Sequence, residues 1–259
     1  MKDLRDRVAV VTGAANGIGL GLATRFLKEG MDVVIADKAT DDLARAEESL
    51  RPLGNVLAVE TDVSDRGSVQ GLADASVDRF GAVHVLCNNA GVGEFRRFDT
   101  TSLATWDWTV GVNLFGVLNG CRIFLPILAR QEEAYIVNTA SMSGVLTGPY
   151  LEPYSVSKAG VVSLSESLAA EFAIEYPHIG VAVLCPSYTA TSIRHDSTIE
   201  QQGICTDEIG QLVIDGMANR KTYIFPRPRL ASAMAAMGRH RHGGGLREDY
   251  GWPWVSIDS

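Results

Sequence analysis

Six short runs of almost unbroken apolar residues divide the chain, each separated from the next by enough residues for a helix. They are Val8–Val11, Asp32–Ala36, Val56–Val59, Val83–Cys87, Tyr135–Asn138 and Val181–Cys185. A strand with one wet face alternates polar with apolar residues; a strand covered on both faces does not. Helical segments fill the gaps: Ile18–Glu29, Asp41–Leu50, Val69–Phe80, Leu103–Arg130 and Tyr154–Glu175. This strand–helix alternation specifies an α/β fold, a single doubly wound parallel sheet with helices on both faces and right-handed crossovers.

With 259 residues, 46% of them apolar and 21% charged, the chain reads as one domain, 1–259, large enough to bury a core without staples. After Cys185 the alternation stops. Residues 187–220 form an irregular stretch followed by a helix over Asp207–Asn219. Thr222–Phe225 is a candidate last strand, ended by Pro226 and Pro228, and Leu230–Met237 a short helix. Gly243–Gly245 opens a tail, 243–259, whose Tyr250, Trp252 and Trp254 are expected to pack on a neighbouring subunit. A homo-oligomer, dimer or tetramer, is therefore expected.

The net charge is −8, the sign opposite to that of a nucleic-acid coat protein. Arg220–Arg247 holds seven Lys/Arg and no acid, while residues 1–219 hold 16 bases against 28 acids, net −12. That basic stretch suits a solvated face or a subunit contact, or else an anionic ligand or nucleic acid; no nucleic-acid partner is expected. Cys87, Cys121, Cys185 and Cys205 show no ligand spacing, so no metal is expected and a reduced, cytoplasmic protein fits. The start MKDLRDR runs directly into VAVV, without the apolar core of a signal peptide. Val110–Ala129 carries Asn113, Asn119, Arg122 and Pro126, too polar a set for a membrane span, so no membrane partner is expected.

The first strand ends in Thr12-Gly13-Ala14-Ala15-Asn16-Gly17-Ile18-Gly19 and enters a helix. Glycines there let the backbone approach a pyrophosphate at the helix N-terminus, although an ordinary tight turn uses them too. Asp37 ends the second strand, 18 residues after Gly19. A carboxylate at that place accepts hydrogen bonds from ribose hydroxyls and repels a 2′-phosphate, so NAD is expected and NADP is less favoured. Lys38, next in sequence, softens that repulsion. Asn88-Asn89-Ala90-Gly91 closes the fourth strand as a turn. Tyr154 and Lys158 lie one helical turn apart on one face.

Together these elements resemble the short-chain dehydrogenase/reductase family, Rossmann-like enzymes of a single compact domain. The resemblance covers residues 5–191. It implies a cofactor site built from Gly13, Asn16, Gly17, Ile18 and Gly19, with Asp37 on the ribose and Asp62 and Val63 on the adenine. Asn89, Ala90, Gly91, Tyr154, Lys158, Pro186, Thr189 and Thr191 complete that site. It implies a catalytic tetrad of Asn113, Ser141, Tyr154 and Lys158. Three departures stand out: the family's Pro-Gly after the sixth strand is Pro186-Ser187, its usual apolar residue two positions on is Thr189 although Thr191 keeps the expected hydroxyl, and its usual C-terminal strand is missing, with Thr222–Pro226 as a candidate replacement.

The chemistry this implies is hydride transfer between nicotinamide and a secondary alcohol or ketone. A phenol is too weak an acid to serve as a base at neutral pH; the Lys158 ammonium stabilises the phenolate and brings Tyr154 into range as general acid/base. Ser141 would hold the substrate oxygen. The backbone carbonyl of Asn113, at a helix kink, would keep a water in the proton relay. Substrate contacts are expected from Phe95, Met142, Tyr150 and Tyr188. Trp106 and Trp108 resemble a branch that handles bulky aryl or cyclic alcohols. No Arg is placed against a substrate carboxylate: Arg96, Arg97 and Arg194 sit among polar neighbours, so a neutral small-molecule substrate is expected. His195 reads as an exposed loop residue or a substrate contact. The rival reading is a non-catalytic dinucleotide sensor or scaffold on the same fold, and a sensor would be free to lose Tyr154 or Lys158.

Overall fold

The computed structural model describes residues 1–187 and 205–226. Residues 1–226 form one compact unit. The expected helix at Leu230–Met237, the tail 243–259, Tyr188, Thr189, Thr191, Arg194 and His195 lie outside the described residues.

The six predicted runs all become strands: β1 Val8–Thr12, β2 Asp32–Asp37, β3 Val56–Glu60, β4 Val85–Asn88, β5 Ala134–Thr139 and β6 Ile179–Leu184. Thr222–Phe225 supplies β7, reduced to Tyr223–Ile224. The sheet runs β3-β2-β1-β4-β5-β6-β7 with every pair parallel. β7 extends the sheet beside β6, Val183 opposite Tyr223 and Leu184 opposite Ile224.

The helices are α1 Gly17–Lys28, α2 Thr40–Leu50, α3 Arg66–Phe80, α4 Leu103–Val110, α5 Gly116–Leu128, α6 Glu152–Glu175 and α7 Thr206–Ala218. Asp65 starts α3 by accepting from Gly67 N (2.6 Å) and Ser68 N (3.1 Å), and Gly81, left-handed at φ 77°, ends it. Successive strand residues point to opposite layers. Ala9 and Val11 join Phe26 of α1 and Val213 of α7 in one core; Val10 joins Leu72 of α3, Phe124 of α5 and Phe172 of α6 in the other. β3 departs from the expected double burial: as an edge strand it is only half-buried.

Two further expectations change. The single helix over Leu103–Arg130 is instead α4 and α5 joined by a π-helical turn, Gly111–Phe115. The run Leu103–Leu128 is also apolar enough, by length and composition, to cross a membrane, contrary to the argument from its polar residues. In the fold it packs into the second core through Val117, Cys121, Phe124 and Leu128. Its asparagines are buried with partners: Asn119 donates to Val63 O at 3.0 Å.

Strand order reverses between β1 and β4, and this leaves a crevice at the carboxyl ends of those strands. The sequence motifs cluster there.

Candidate active site

The glycine turn leaves β1 at Thr12 and enters α1 with Gly13 at φ 63° and Gly17 at φ 56°. A Cβ on Gly13 would stand 2.6 Å from Ala90 Cα, and one on Gly19 would stand 2.1 Å from Gly13 O. Backbone alone fits there. The two turns are sewn together: Thr12 Oγ1 accepts from Asn89 N (3.0 Å) and Ala90 N (3.1 Å), and Asn89 Nδ2 donates to Thr12 O (3.1 Å) and Gly13 O (3.2 Å). Asn16 occupies the N-cap of α1 without a side-chain capping bond, and the first turn holds no acid. That donor-rich, positive helix end suits an anionic pyrophosphate.

Asp37 closes β2 and faces this turn. One carboxylate oxygen accepts from Ala15 N and the other from Ala39 N, each at 3.1 Å. Lys38 does not lie over Asp37: its ammonium sits 2.5 Å from Asp62 Oδ2. The other oxygen of Asp62 accepts from Ser64 N (3.0 Å) and Ser64 Oγ (2.6 Å). The Lys38 and Ser64 bonds hold this carboxyl below the usual range. Val63 is buried, and a Cβ on Gly116 would meet its side chain at 2.7 Å.

The predicted tetrad residues come from three places: the π-helical turn, the turn after β5, and α6. Ser141 follows β5 and opens a 3₁₀ turn, Met142–Gly144, by accepting from Ser143 N at 3.1 Å. A hydroxyl that accepts this bond keeps its own proton to donate. Tyr154 and Lys158 lie in the first two turns of α6. Lys158 is buried and its ammonium donates to Thr139 O at 2.8 Å, 5.9 Å from the centre of the Tyr154 ring. Burial lowers its pKa to about 8. No carboxylate pairs with it among the described residues.

Asn113 sits in the π-helical turn, fully buried. Its Oδ1 accepts from Val92 N (2.7 Å) while its Nδ2 donates to Val92 O (2.9 Å) and Ser157 Oγ (3.0 Å). The side chain thus ties the segment after Gly91 to α6. π turns concentrate at functional sites because they disturb the regular carbonyl ladder. The glycines between these groups are tightly placed: a Cβ on Gly91 would stand 3.2 Å from Lys158 Nζ, and one on Gly144 2.6 Å from the Lys158 backbone.

Of the predicted substrate contacts, Phe95 meets Tyr154 edge-on, ring centres 5.9 Å apart. Met142 sits beside Ser141 in the 3₁₀ turn, half-buried. Tyr150 is exposed, with a left-handed φ of 66°, and makes no contact with the tetrad among the described interactions. Arg96 pairs with Glu94 and Arg97 with Asp99, so both cations are matched by acids on their own loop. Pro186 accepts from Met142 N at 2.9 Å, which ties the end of β6 to the serine turn.

Sequence reasoning assigned no role to Thr139, whose carbonyl receives the lysine, or to Ser157, which receives Asn113. The spacing held a signal for Ser157: it falls one turn after Tyr154 on the face that Tyr154 and Lys158 share. A buried chain behind the site was equally silent in the sequence: Asn88 donates to Asn138 Oδ1 (2.9 Å) and Asn138 to Ser165 Oγ (3.0 Å). The cysteines Cys87, Cys121 and Cys185 are free and buried; Cys205 is free and exposed.

Set beside known proteins, residues 7–202 match the family model for short chain dehydrogenases. The chain belongs to the short-chain dehydrogenase/reductase family, and it is an oxidoreductase acting on alcohol or ketone substrates. Members of this family use NAD(H) or NADP(H).

Among particular relatives, it is similar to C alpha-dehydrogenase of a Sphingobium species, 30% identical over 260 residues, covering 90% of this chain and 85% of the relative. It is 32% identical over 255 residues to 1-deoxy-11-beta-hydroxypentalenate dehydrogenase of Streptomyces exfoliatus, covering 92% and 90%. A Burkholderia phymatum short-chain dehydrogenase/reductase solved in complex with NAD superposes with a TM-score of 0.87 at 34% identity, covering 93% and 96%.

Proposed function

We propose that the protein is an NAD-dependent dehydrogenase or ketone reductase for a neutral, bulky secondary alcohol or ketone, cyclic or aryl, with Tyr154 as general acid/base. The observation that carries this reading is the buried Lys158 ammonium, held on Thr139 O beside the Tyr154 ring with no carboxylate paired to it among the described residues. A buried charge is costly to keep, and here it is aimed at a phenol. When bound, the nicotinamide supplies the hydride acceptor or donor.

The remaining roles fall to the chain's own residues. The glycine turn and the N-terminus of α1 bind the pyrophosphate, and Asp37 takes the ribose hydroxyls. Tyr154 takes the proton from the alcohol oxygen in oxidation and returns it in reduction; Lys158 stabilises the phenolate in between. Ser141 donates to the substrate oxygen and fixes it near the phenol. Asn113 positions the Val92 backbone and α6, and its π turn offers a carbonyl for the water of the relay. Phe95 and Met142 line the substrate side. The NAD complex of the Burkholderia relative and the hydroxypentalenate named for the Streptomyces relative support the same direction.

We also propose a homo-oligomer. Leu103, Trp108, Phe115 and Leu118 of the α4–α5 run and Val156 of α6 are exposed, more apolar surface than a free helix pair needs. A reduced, cytoplasmic setting suits the unpaired thiols.

The deciding experiment is a screen of secondary alcohols with NAD⁺, followed at the nicotinamide absorbance, on the wild type and Tyr154→Phe. Bulky cyclic or aryl alcohols should turn over. The variant should lose about 10²-fold or more in kcat and still bind NADH. A variant that kept more than about a tenth of kcat would require a different acid/base, and a wild type that bound NADH but oxidised nothing would favour the sensor reading.

A further inference from the structure

We propose that Asp62 sets cofactor preference at a distance, by holding the Lys38 ammonium away from the place a ribose 2′-phosphate would occupy. The proposal rests on the NAD reading and names a second determinant beyond Asp37.

Lys38 follows Asp37 directly at the end of β2, and its side chain is 76% exposed. A flexible exposed cation at that place would ordinarily be available to an anion on the ribose. Here it lies 2.5 Å from Asp62 Oδ2, across the gap between the ends of β2 and β3. The acid is the fixed member of the pair. Ser64 N and Ser64 Oγ hold its other oxygen, and Asp62 N donates to Ser68 Oγ at 3.0 Å. Asp37 is fixed as well, by Ala15 N and Ala39 N. From Gly13 to Gly19 the turn contains no Lys or Arg. A 2′-phosphate, with a charge of about −1.5 to −2, would therefore face two anchored carboxylates and a cation already committed to one of them.

Neutralising Asp62 has two separable effects. It removes one repelling charge, and it releases Lys38. Only the second depends on the lysine, so a double-mutant cycle isolates it. Asp62→Asn keeps an acceptor for Ser64, which preserves the local turn. An exposed ion pair is a modest restraint, so the expected shift is moderate.

The test is the ratio of NADPH to NADH dissociation constants, measured by titration calorimetry on the full chain at low salt. It compares wild type, Lys38→Met, Asp62→Asn and the double variant. Losses of adenine contact affect both cofactors and cancel in the ratio. We expect Asp62→Asn to improve NADPH relative to NADH by about fivefold. Lys38→Met should move the ratio by less than about twofold, and adding Asp62→Asn on that background should move it by clearly less than Asp62→Asn does alone, since only the lost repulsion remains. The proposal is overturned if Asp62→Asn leaves the ratio unchanged, or shifts it equally with and without Lys38. A wild type that binds NADPH more tightly refutes the NAD preference; the coupling between Asp62 and Lys38 is decided by the cycle whichever cofactor wins.

Discussion

The Lys158 ammonium donates to the Thr139 carbonyl at 2.8 Å, so the last residue of β5 holds the cation that α6 supplies. Strand and helix meet at one charge. Ser141, two residues beyond Thr139, then reaches the same crevice from the strand side.

That buried charge weakens the cofactor-free protein. Lys158 titrates at about 8 in the fold against 10.5 when exposed. The unfolded chain binds the extra proton between those values, so wild-type stability should rise with pH from about 8 to 10.5. Below that window the burden is complete. Lys158→Met should melt at a higher temperature than wild type at pH 7, with the gap closing as pH approaches 10. Thermal denaturation at a series of pH values without cofactor checks this; a gap independent of pH would contradict it.

His84 acts in the same direction as Lys158 but in a lower pH window. Its Nδ1 accepts from Val8 N at 3.1 Å, and burial with the nearby Arg7 lowers its pKa. The neutral ring is therefore the form the fold keeps. Stability from this group is present above its unfolded pKa, about 6.5, and falls as pH drops below that value. The melting temperature of wild type should decline more steeply from pH 7 to 5 than that of His84→Gln.

Gly13→Ala should cost about 1–3 kcal/mol. The position combines φ 63° with backbone 2.6 Å from the new Cβ. Urea denaturation should show a lower midpoint, and NADH affinity should fall because the turn must move.

Phe95→Ala removes the edge-on contact with Tyr154. An aromatic pair of this kind contributes about 0.5–1.5 kcal/mol. For an aryl alcohol kcat/KM should drop about three- to tenfold, with a smaller effect on a short aliphatic alcohol. Equal losses on both would assign Phe95 to positioning Tyr154 alone.

Asp37→Ala should narrow the gap between NAD and NADP efficiency. It removes the ribose acceptor and the repulsion together, and it also strips the partners from Ala15 N and Ala39 N. Part of the loss should therefore appear with both cofactors, read as kcat/KM with one alcohol.

Much of this architecture is written in local sequence. Parallel strands such as Val8–Thr12 are apolar on both faces, so their runs stand out, and the glycine turn and Tyr154–Lys158 are separated by fixed short spacings. The residues that fail this reading depend on distant partners. Lys38 lies next to Asp37 in the chain yet pairs with Asp62, 24 residues away, because β2 and β3 are neighbours. The burial of Lys158 needs Gly91, Gly144 and β5 in place. β3 looks like any inner strand until the sheet order puts it at an edge.

The π turn at Gly111–Phe115 has a consequence for the helices on either side of it. An α-helix advances about 100° per residue, and a wider turn in mid-helix rotates the phase of α4 relative to that of α5. α5 keeps Val117, Cys121, Phe124 and Leu128 on the core. The phase of Trp106 and Trp108 on α4 is thus offset from that of the α5 residues that meet the core. One widened turn lets a single apolar run present two differently phased faces.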